Sequence, residues 1–192
     1  RFIANTDGLT IHQGQGMGAN RVEKCVFARN SRGFFADTVT GSLFVNNTFD
    51  GNVIGLETNN PPNSFLGNIF SNNRVGLNEA FGGNTIDYND YFNNSLADLN
   101  RYTGGQAVYG PNDRCTAACA TPAVNPNYMD ASKDIFLLSP LVGGSLNSLL
   151  NAGPVLGGQV SNIGAHGAGV GVGATGANRF QGWITSSVRV PV

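Results

Sequence analysis

The ten residues Asn-Thr-Phe-Asp-Gly-Asn-Val-Ile-Gly-Leu at positions 47–56 recur as Asn-Ile-Phe-Ser-Asn-Asn-Arg-Val-Gly-Leu at positions 68–77. The shared pattern is an aromatic residue, an Asn three positions later and, in most copies, a Gly six positions after the aromatic residue. The aromatic residues of five such copies are Phe2, Phe27, Phe49, Phe70 and Tyr91. The Asn residues of the last four copies are 22, 21 and 21 positions apart, and a fixed period of this length indicates a stacked repeat architecture.

Two further columns follow the same register. An apolar residue lies five positions before each aromatic residue of the last four copies, and Cys25, Asn47, Asn68 and Asn89 lie two positions before it. Short alternating runs separated by Gly and Asn are typical of strands joined by tight corners. A unit of this kind cannot bury a core alone, but stacking units at the roughly 4.8 Å strand spacing buries a continuous interior. The sequence therefore predicts an all-β, single-stranded parallel β-helix, and the usual hand of parallel crossovers predicts a right-handed coil.

Two other architectures fit the period less well. A leucine-rich repeat needs several Leu residues per unit and a helical side, whereas these copies have at most one Leu after the Gly. An antiparallel sandwich does not require columns in register. In a β-helix, by contrast, we expect the rings to stack and the inward amides to bond from coil to coil. These structural columns are Phe27, Phe49 and Phe70; Asn30, Asn52, Asn73 and Asn94; and Asn47, Asn68 and Asn89.

The chain divides by composition into residues 1–166, predicted as the β-helix domain, and a Gly-rich tail at residues 167–192 that ends in an alternating, strand-like run. Residue 2 already belongs to a repeat copy, so we expect the first coil to present an open strand edge. Open edges pair with other strands. We therefore expect a homo-oligomer or filament, formed through the coil ends or through the tail as a cap or inter-subunit contact.

Charge and hydropathy exclude several classes of function. The chain has 11 basic and 12 acidic residues and a net charge of −1, without a basic cluster, which argues against nucleic acid as a partner. No apolar run approaches the length of a membrane span, and residues 1–5 do not resemble a signal peptide. The motifs of serine hydrolases, zinc proteases and nucleotide-binding loops do not occur.

The repeat pattern at residues 47–56 and 68–77 resembles that of secreted right-handed parallel β-helix proteins, the pectate-lyase-like superfamily. Residues 125–130, 134–140, 151–153 and 163–165 are similar to the closing segment of bacterial extracellular β-helix repeat proteins, although His166-Gly167 stands where those proteins have an aromatic residue and an acid. The resemblance implies an extracellular or cell-surface location. It leaves the activity open, because this scaffold carries lyases, hydrolases, adhesins and structural proteins.

Carboxylates are the main candidates for chemistry. Asp87, Asp90 and Asp98 lie where the repeat weakens and are weak catalytic candidates for a polysaccharide lyase or glycoside hydrolase, while ordinary surface charge is the simpler interpretation. Asp37, Glu57 and Glu79 each follow a repeat glycine and could line one edge of successive coils to bind Ca²⁺, although solvated corner residues are the favoured interpretation. His12 and His166 lie far apart, so we expect no metal centre built from His and, Ca²⁺ apart, no cofactor.

Tyrosines and cysteines give the remaining predictions. Tyr88, Tyr102 and Tyr109 are candidates for stacking on sugar faces, with covering of the coil as the alternative. Cys115 and Cys119 are close enough to form a disulfide, which suits an oxidising compartment better than a two-ligand metal site. Cys25 is expected to be a buried, unreactive side chain. The leading hypothesis is a non-catalytic extracellular structural or interaction module, and the alternatives are a polysaccharide lyase or hydrolase and a carbohydrate-binding module.

Overall fold

The computed structural model describes residues 1–12, 19–133, 135–138, 141–142, 145–150, 152–156 and 159–164. The described strands form an all-β parallel solenoid of five coils, because neighbouring strands in each of its three sheets come from successive coils. The predicted parallel solenoid is therefore confirmed. The tail at residues 167–192 lies outside the described residues. No helix among the described residues is long and apolar enough to cross a membrane.

Each complete coil contributes three strands. The first coil holds β1 (Phe2–Ile3) and β2 (Asp7–His12), and the second holds β3 (Arg21–Glu23), β4 (Val26–Ala28) and β5 (Arg32–Asp37). The third coil holds β6 (Leu43–Val45), β7 (Thr48–Asp50) and β8 (Ile54–Thr58), and the fourth holds β9 (Ser64–Leu66), β10 (Ile69–Ser71) and β11 (Val75–Glu79). The fifth holds β12 (Thr85–Asp87), β13 (Asp90–Phe92) and β14 (Ala97–Arg101), and β15 (Arg114–Cys115) and β16 (Thr121–Pro122) follow it.

These strands form three sheets that run along the solenoid. Sheet A has the order β1-β4-β7-β10-β13-β15-β16, sheet B has β2-β5-β8-β11-β14, and sheet C has β3-β6-β9-β12, all with parallel pairing. Phe49 lies opposite Phe27 and Phe70 in sheet A, which is the register that the 21- to 22-residue period predicts. Residues with the same place in the repeat therefore lie above one another.

The interior is filled by stacked side chains. The rings of Phe2, Phe27, Phe49, Phe70 and Tyr91 form one continuous stack, with centroids 4.9–5.1 Å apart and planes within 8° of parallel. The column behind it, contributed by sheet B, contains Phe34, Leu56, Leu77 and Leu99. Burial of each large apolar side chain contributes about 1.5–3 kcal/mol, so these columns are the main source of stability.

An asparagine ladder runs along the corner between sheets A and B. The Oδ1 atom of Asn52 accepts hydrogen bonds from the backbone N and the Nδ2 of Asn30, at 2.9 and 3.0 Å. The Nδ2 of Asn52 donates to the carbonyl of Phe27 in the preceding coil and to Asn73 Oδ1 in the next coil. Each buried amide thus finds all its partners in the adjacent coils, as buried polar groups require.

A second ladder follows the corner between sheets C and A. Asn47, Asn68 and Asn89 repeat the same geometry, with each amide donating to the next coil. Cys25 occupies the first place of this column, where its backbone N donates to Asn47 Oδ1 at 3.0 Å and its Sγ donates to the carbonyl of Glu23 instead of to the next coil.

A third ladder, which the repeat analysis did not identify, lies at the corner between sheets B and C. The backbone N of Asn20 donates to Ser42 Oγ, that of Ser42 to Asn63 Oδ1 and that of Asn63 to Asn84 Oδ1. Ser42, Asn63 and Asn84 are spaced 21 residues apart, so this ladder has the same period as the others. A search for repeated Asn residues does not find it, because its member at position 42 is Ser.

After β16 the chain leaves the coil path and runs back over the outer face of sheet A. We call the described residues from 123 to 164 the covering segment. It begins with β17 (Tyr128–Asp130), a short 3₁₀ helix (Ala131–Lys133) and β18 (Ile135–Leu138), and β17 pairs with β18 in antiparallel orientation. Two further antiparallel pairs follow: β19 (Leu141–Val142) with β20 (Ser145–Leu146), and β21 (Val155–Leu156) with β22 (Gln159–Val160). Leu138, Leu149 and Ile163 pack with the outward-facing Ile69 in a second apolar cluster. Sheet A is therefore covered on both faces, by the solenoid core on its inner face and by the covering segment on its outer face.

Candidate functional site

Each of the three ladders ends on a carboxylate. Asn89 donates from its backbone N and its Nδ2 to Asp113 Oδ1, at 2.7 and 3.1 Å. Asn94 donates to Asp98 Oδ1 at 2.9 Å, and Asn84 donates to Glu79 Oε2 at 2.8 Å. An ionised carboxylate accepts hydrogen bonds and donates none. The ladders therefore stop at these three acids, which lie in or after the last two coils.

The C-terminal end of the stack is also covered by side chains. The ring of Tyr109 meets that of Tyr91 edge-on, with centroids 5.6 Å apart, and Ala107, Cys115 and Cys119 pack against the same core. Burial raises the pKa of Tyr109 to about 12 and that of the Asp113 carboxyl to about 6, although donors from Asn89 and Gly110 favour the charged form of Asp113. At this end the core is covered and acidic groups are concentrated, whereas β12 and β14 are the last described strands of sheets C and B.

Asp90 is the most perturbed of the catalytic candidates. Its side chain faces outward from sheet A, is 0% exposed and lies beneath the covering segment, where Oδ1 accepts a hydrogen bond from the backbone N of Val124 at 2.8 Å. Its Oδ2 is buried without a hydrogen-bond partner. Burial raises the pKa of Asp90 to about 7, against the opposing charge of Arg114, its neighbour in the sheet register. A pKa near 7 suits a proton-transfer group, but the carboxyl is 0% exposed, so it is not accessible to a substrate in this conformation.

Asp87 and Asp98 serve other parts of the chain. Asp87 accepts hydrogen bonds from the backbone N of Tyr88 and from the backbone and side chain of Asn112, which holds the loop that follows the fifth coil. Asp98 ends the ladder at the corner between sheets A and B, and burial raises the pKa of its carboxyl. The three candidate acids thus lie on strands of three different sheets, Asp87 in sheet C, Asp90 in sheet A and Asp98 in sheet B, each with its own structural partner. They do not form a pair of carboxylates that face one substrate position.

The three candidate tyrosines are not gathered on one surface. Tyr88 turns the corner between β12 and β13 in a left-handed conformation, with φ of 60°. Tyr109 covers the core, as described above. Tyr102 is 46% exposed, and its hydroxyl donates to Asn59 Oδ1 at 2.5 Å, so its ring lies along the outside of the corner between sheets B and C.

The acids considered for Ca²⁺ lie in different columns. Asp37 is opposite His12 in the strand register and contacts its Nδ1 at 2.8 Å. Glu57 lies in another column, opposite Phe35 on one side and Asn78 on the other. Glu79 lies in a third column, opposite Thr58. Glu79 is buried and accepts a hydrogen bond from Arg101 Nε at 2.9 Å. No group of three or more His, Cys, Asp or Glu side chains is placed to hold a metal within the part of the chain that the structure describes.

Cysteines and a shallow pocket complete this end of the molecule. Cys115 and Cys119 form a disulfide after the fifth coil, while Cys25 is a free, half-buried thiol whose pKa is raised by burial. An open pocket of about 320 Å³ is lined by Phe92, Asn93, Thr116, Pro122 and Ala123. Its lining contains neither a carboxylate nor a basic group, so it offers no catalytic set.

Comparison of the chain with protein-family models, with curated proteins and with solved structures finds no match. The fold and the local geometry are therefore the basis for any assignment of function.

Proposed function

We propose that the protein is a non-catalytic structural or interaction module, built on a parallel solenoid, that engages other polypeptides through its strand edges. The single observation that supports this proposal is that the candidate acidic side chains are hydrogen-bonded to groups of the protein itself. Asp87, Asp90 and Asp98 all accept hydrogen bonds from the protein's own amides, and Asp90 is fully buried. A scaffold whose acidic groups hold its own loops and ladders provides rigidity rather than turnover.

We further propose that the module works outside the cell, as part of a fibre or surface assembly. The Cys115–Cys119 disulfide supports this location, since disulfides persist in oxidising compartments. Exposed strand edges support association, because an unpaired edge is a template for another strand. The contact forms through the coil ends or through the strand-like tail.

Light scattering and electron microscopy of the full chain, over a range of concentrations, test the assembly. We expect the chain to form oligomers or filaments. If the tail makes the contact, Val188→Lys in the tail should abolish them. Turnover of an acidic or neutral polysaccharide by the wild-type chain, lost in Asp98→Asn, would contradict the non-catalytic assignment.

A carbohydrate-binding role is favoured by one observation on the outer surface. Phe81, 53% exposed, and Tyr102 lie at the same corner on successive coils, because the Tyr102 backbone N donates to the carbonyl of Glu79. Exposed rings of this kind can stack on sugar faces. Retention on glycan columns should fall in Tyr102→Ala, with the exposed Val108→Ala as the control, and equal retention of both variants would end this alternative.

A further inference from the structure

The covering segment is bonded to sheet A and its corner near both of its ends. At the start, the backbone N of Val124 donates to Asp90 Oδ1 at 2.8 Å. At the end, the backbone N of Gly164 donates to the carbonyl of Gly67 at 2.8 Å. The apolar side chains of sheet A that pack against the segment, each at most 1% exposed, are Val26, Ala28 and Ile69.

The bond at the start of the segment involves a carboxyl that has few partners for a negative charge. Asp90 is 0% exposed beneath the covering segment, and its Oδ2 is buried without a hydrogen-bond partner. A protonated carboxyl tolerates this environment, whereas a carboxylate that has lost its hydration needs more donors than the backbone N of Val124. Undocking of the segment would return Asp90 to water, so ionisation of Asp90 favours undocking.

The titratable and charged groups around Asp90 do not compensate for its burial. Burial raises the pKa of Asp90 to about 7, against the Val124 donor and the charge of Arg114 on β15, while the charge of Asp98 on β14 acts in the same direction as burial. Tyr128, on β17 of the covering segment, has a pKa raised well above its ordinary value by burial and by nearby acids, so its hydroxyl stays protonated. Asp90 therefore changes charge near neutral pH inside the contact between the segment and sheet A.

We propose that the covering segment is a pH-controlled cover of sheet A, which lies docked while Asp90 is protonated and undocks as one unit when Asp90 is ionised. The solenoid beneath it stays folded, because the partners in its ring stack and its ladders lie within the coils. Undocking exposes the apolar outer face of sheet A around Ile69. The inference goes beyond the proposed function, since it concerns the face of a sheet and not a strand edge.

The direction of the pH dependence follows from the two states of the segment. Asp90 has a pKa of about 7 in the docked state and its ordinary pKa of about 3.8 when undocking returns it to water. Docking is therefore strongest below about pH 4, weakens as the pH rises to about 7 and is constant above that. The undocked population should increase on the order of 100- to 1000-fold between pH 4 and pH 8.

Native-state hydrogen exchange of the full chain between pH 4 and pH 8, corrected for the intrinsic pH dependence of amide exchange, tests the inference. The amides of Val124 and Gly164 should open with one shared free energy, lower than that of the amides of β10. Their protection should fall in parallel, by the same factor as the undocked population rises. The amide of Gly164 is the decisive reporter, because it lies at the far end of the segment from Asp90 in the chain.

Asp90→Asn should abolish this fall at both amides, since the amide side chain keeps an acceptor for Val124 and carries no charge. The matched control is Asp50→Asn, because Asp50 is another acid of sheet A, and its carboxyl accepts hydrogen bonds from Ser71 and Asn72 of the solenoid. This control should retain the full dependence on pH.

The wild-type profile and the variants can each overturn the inference. Amides of Val124 and Gly164 that open only together with those of β10 would show that the segment does not undock alone. Protection at Gly164 that is constant with pH, or that falls equally in Asp90→Asn, would show that ionisation of Asp90 does not control the segment. Loss of the pH dependence in Asp50→Asn would assign the control to the wrong carboxyl.

Discussion

At the scale of single residues, the corners between sheets depend on left-handed backbone conformations. The residue directly before each ladder position at two of the corners has a φ between 52° and 64°. These residues are Ala4, Arg29, Gly51, Asn72 and Asn93 at one corner, and Lys24, Asn46, Gly67 and Tyr88 at the other. Gly and Asn adopt this conformation readily, whereas it costs other residues about 1–2 kcal/mol.

Lys24→Gly should therefore stabilise the protein. The exposed Lys24 has a φ of 52°, and glycine removes this strain while adding some entropy to the unfolded chain. We expect the free energy of unfolding to rise by about 0.5–1 kcal/mol, measured by denaturant titration. The control is Thr85→Gly, at an exposed strand position, which should destabilise. A loss of stability in both variants would show that the corner is not strained.

Burial of Asp90 predicts an unusual dependence of stability on pH. Its folded pKa of about 7 lies above the ordinary value, so the folded state binds its proton more tightly than the unfolded state. The resulting stability is present at pH 4 and is lost as the pH rises toward 7, at a cost on the order of 4 kcal/mol above pH 8. Asp113, with a pKa of about 6, changes stability in the same direction.

Asp90→Asn should remove most of this dependence, since the amide keeps the acceptor for Val124 and carries no charge. Thermal unfolding should show a higher melting temperature for the variant at pH 8 and a small difference at pH 4. Asp87→Asn is the control, because Asp87 lies on sheet C away from the covering segment. Parallel pH profiles of wild type and Asp90→Asn would contradict the prediction.

At the scale of structural elements, the ladders tie the coils together. Asn68 is fully buried, accepts two hydrogen bonds from Asn47 and donates to the carbonyl of Phe44 and to Asn89. Asn68→Ala leaves these buried groups without partners and should cost at least about 3 kcal/mol, measured by denaturant unfolding. Asn93→Ala is the control, because Asn93 is exposed and its side chain donates to Asn72; alanine at its φ of 55° should cost about 1–2 kcal/mol, less than the ladder variant.

The contact of the covering segment with sheet A can be tested at one glycine. Gly67 has a φ of 63°, and a Cβ there would lie 2.6 Å from Asn46 Oδ1 and 2.8 Å from Pro154 Cδ. Gly51 has a φ of 64°, but a Cβ there would meet only Arg29 Cγ at 3.6 Å.

Gly51→Ala should therefore cost about 1 kcal/mol from backbone strain alone, whereas Gly67→Ala should cost at least about 2 kcal/mol more because it displaces both Asn46 Oδ1 and Pro154. The difference between their unfolding free energies includes the cost of moving the covering segment at Pro154. Equal losses would show that the segment does not pack closely at this corner.

The period of the repeat explains which elements the sequence could predict. Phe49 and Phe70 are 21 residues apart, and so are Asn47 and Asn68. Residues separated by one repeat length lie above one another in a solenoid, so the spacing alone predicts that each pair is in contact. The path of residues 123–164 has no such period, because its contacts join distant residues such as Gly67 and Gly164. The burial of Asp90 depends on that path, and Asp113 lies where the repeat has ended, so neither environment could be read from spacing.

At the scale of the whole molecule, the covering segment connects several coils. Val124 bonds to Asp90 in the fifth coil, Tyr128 contacts Ser71 in the fourth, and the carbonyl of Ala131 accepts from Arg29 in the second. A solenoid stabilised only by neighbouring coils can open from its ends. Here the second to fifth coils share an additional element.

Native-state hydrogen exchange should therefore show one cooperative unit for these coils. Amides of β4, β7, β10 and β13 should exchange with nearly the same opening free energy, whereas β1 and β2 should exchange faster. Gly67→Ala should lower the shared value in all four strands together. A gradient of opening free energies from the second coil to the fifth would contradict this coupling.

The same crossing has a mechanical consequence. A pulling force that separates two coils must also shear the covering segment off sheet A, so the load is shared among several coils at once. The solenoid should then resist extension and unfold under force in one large event, instead of unfolding one coil at a time.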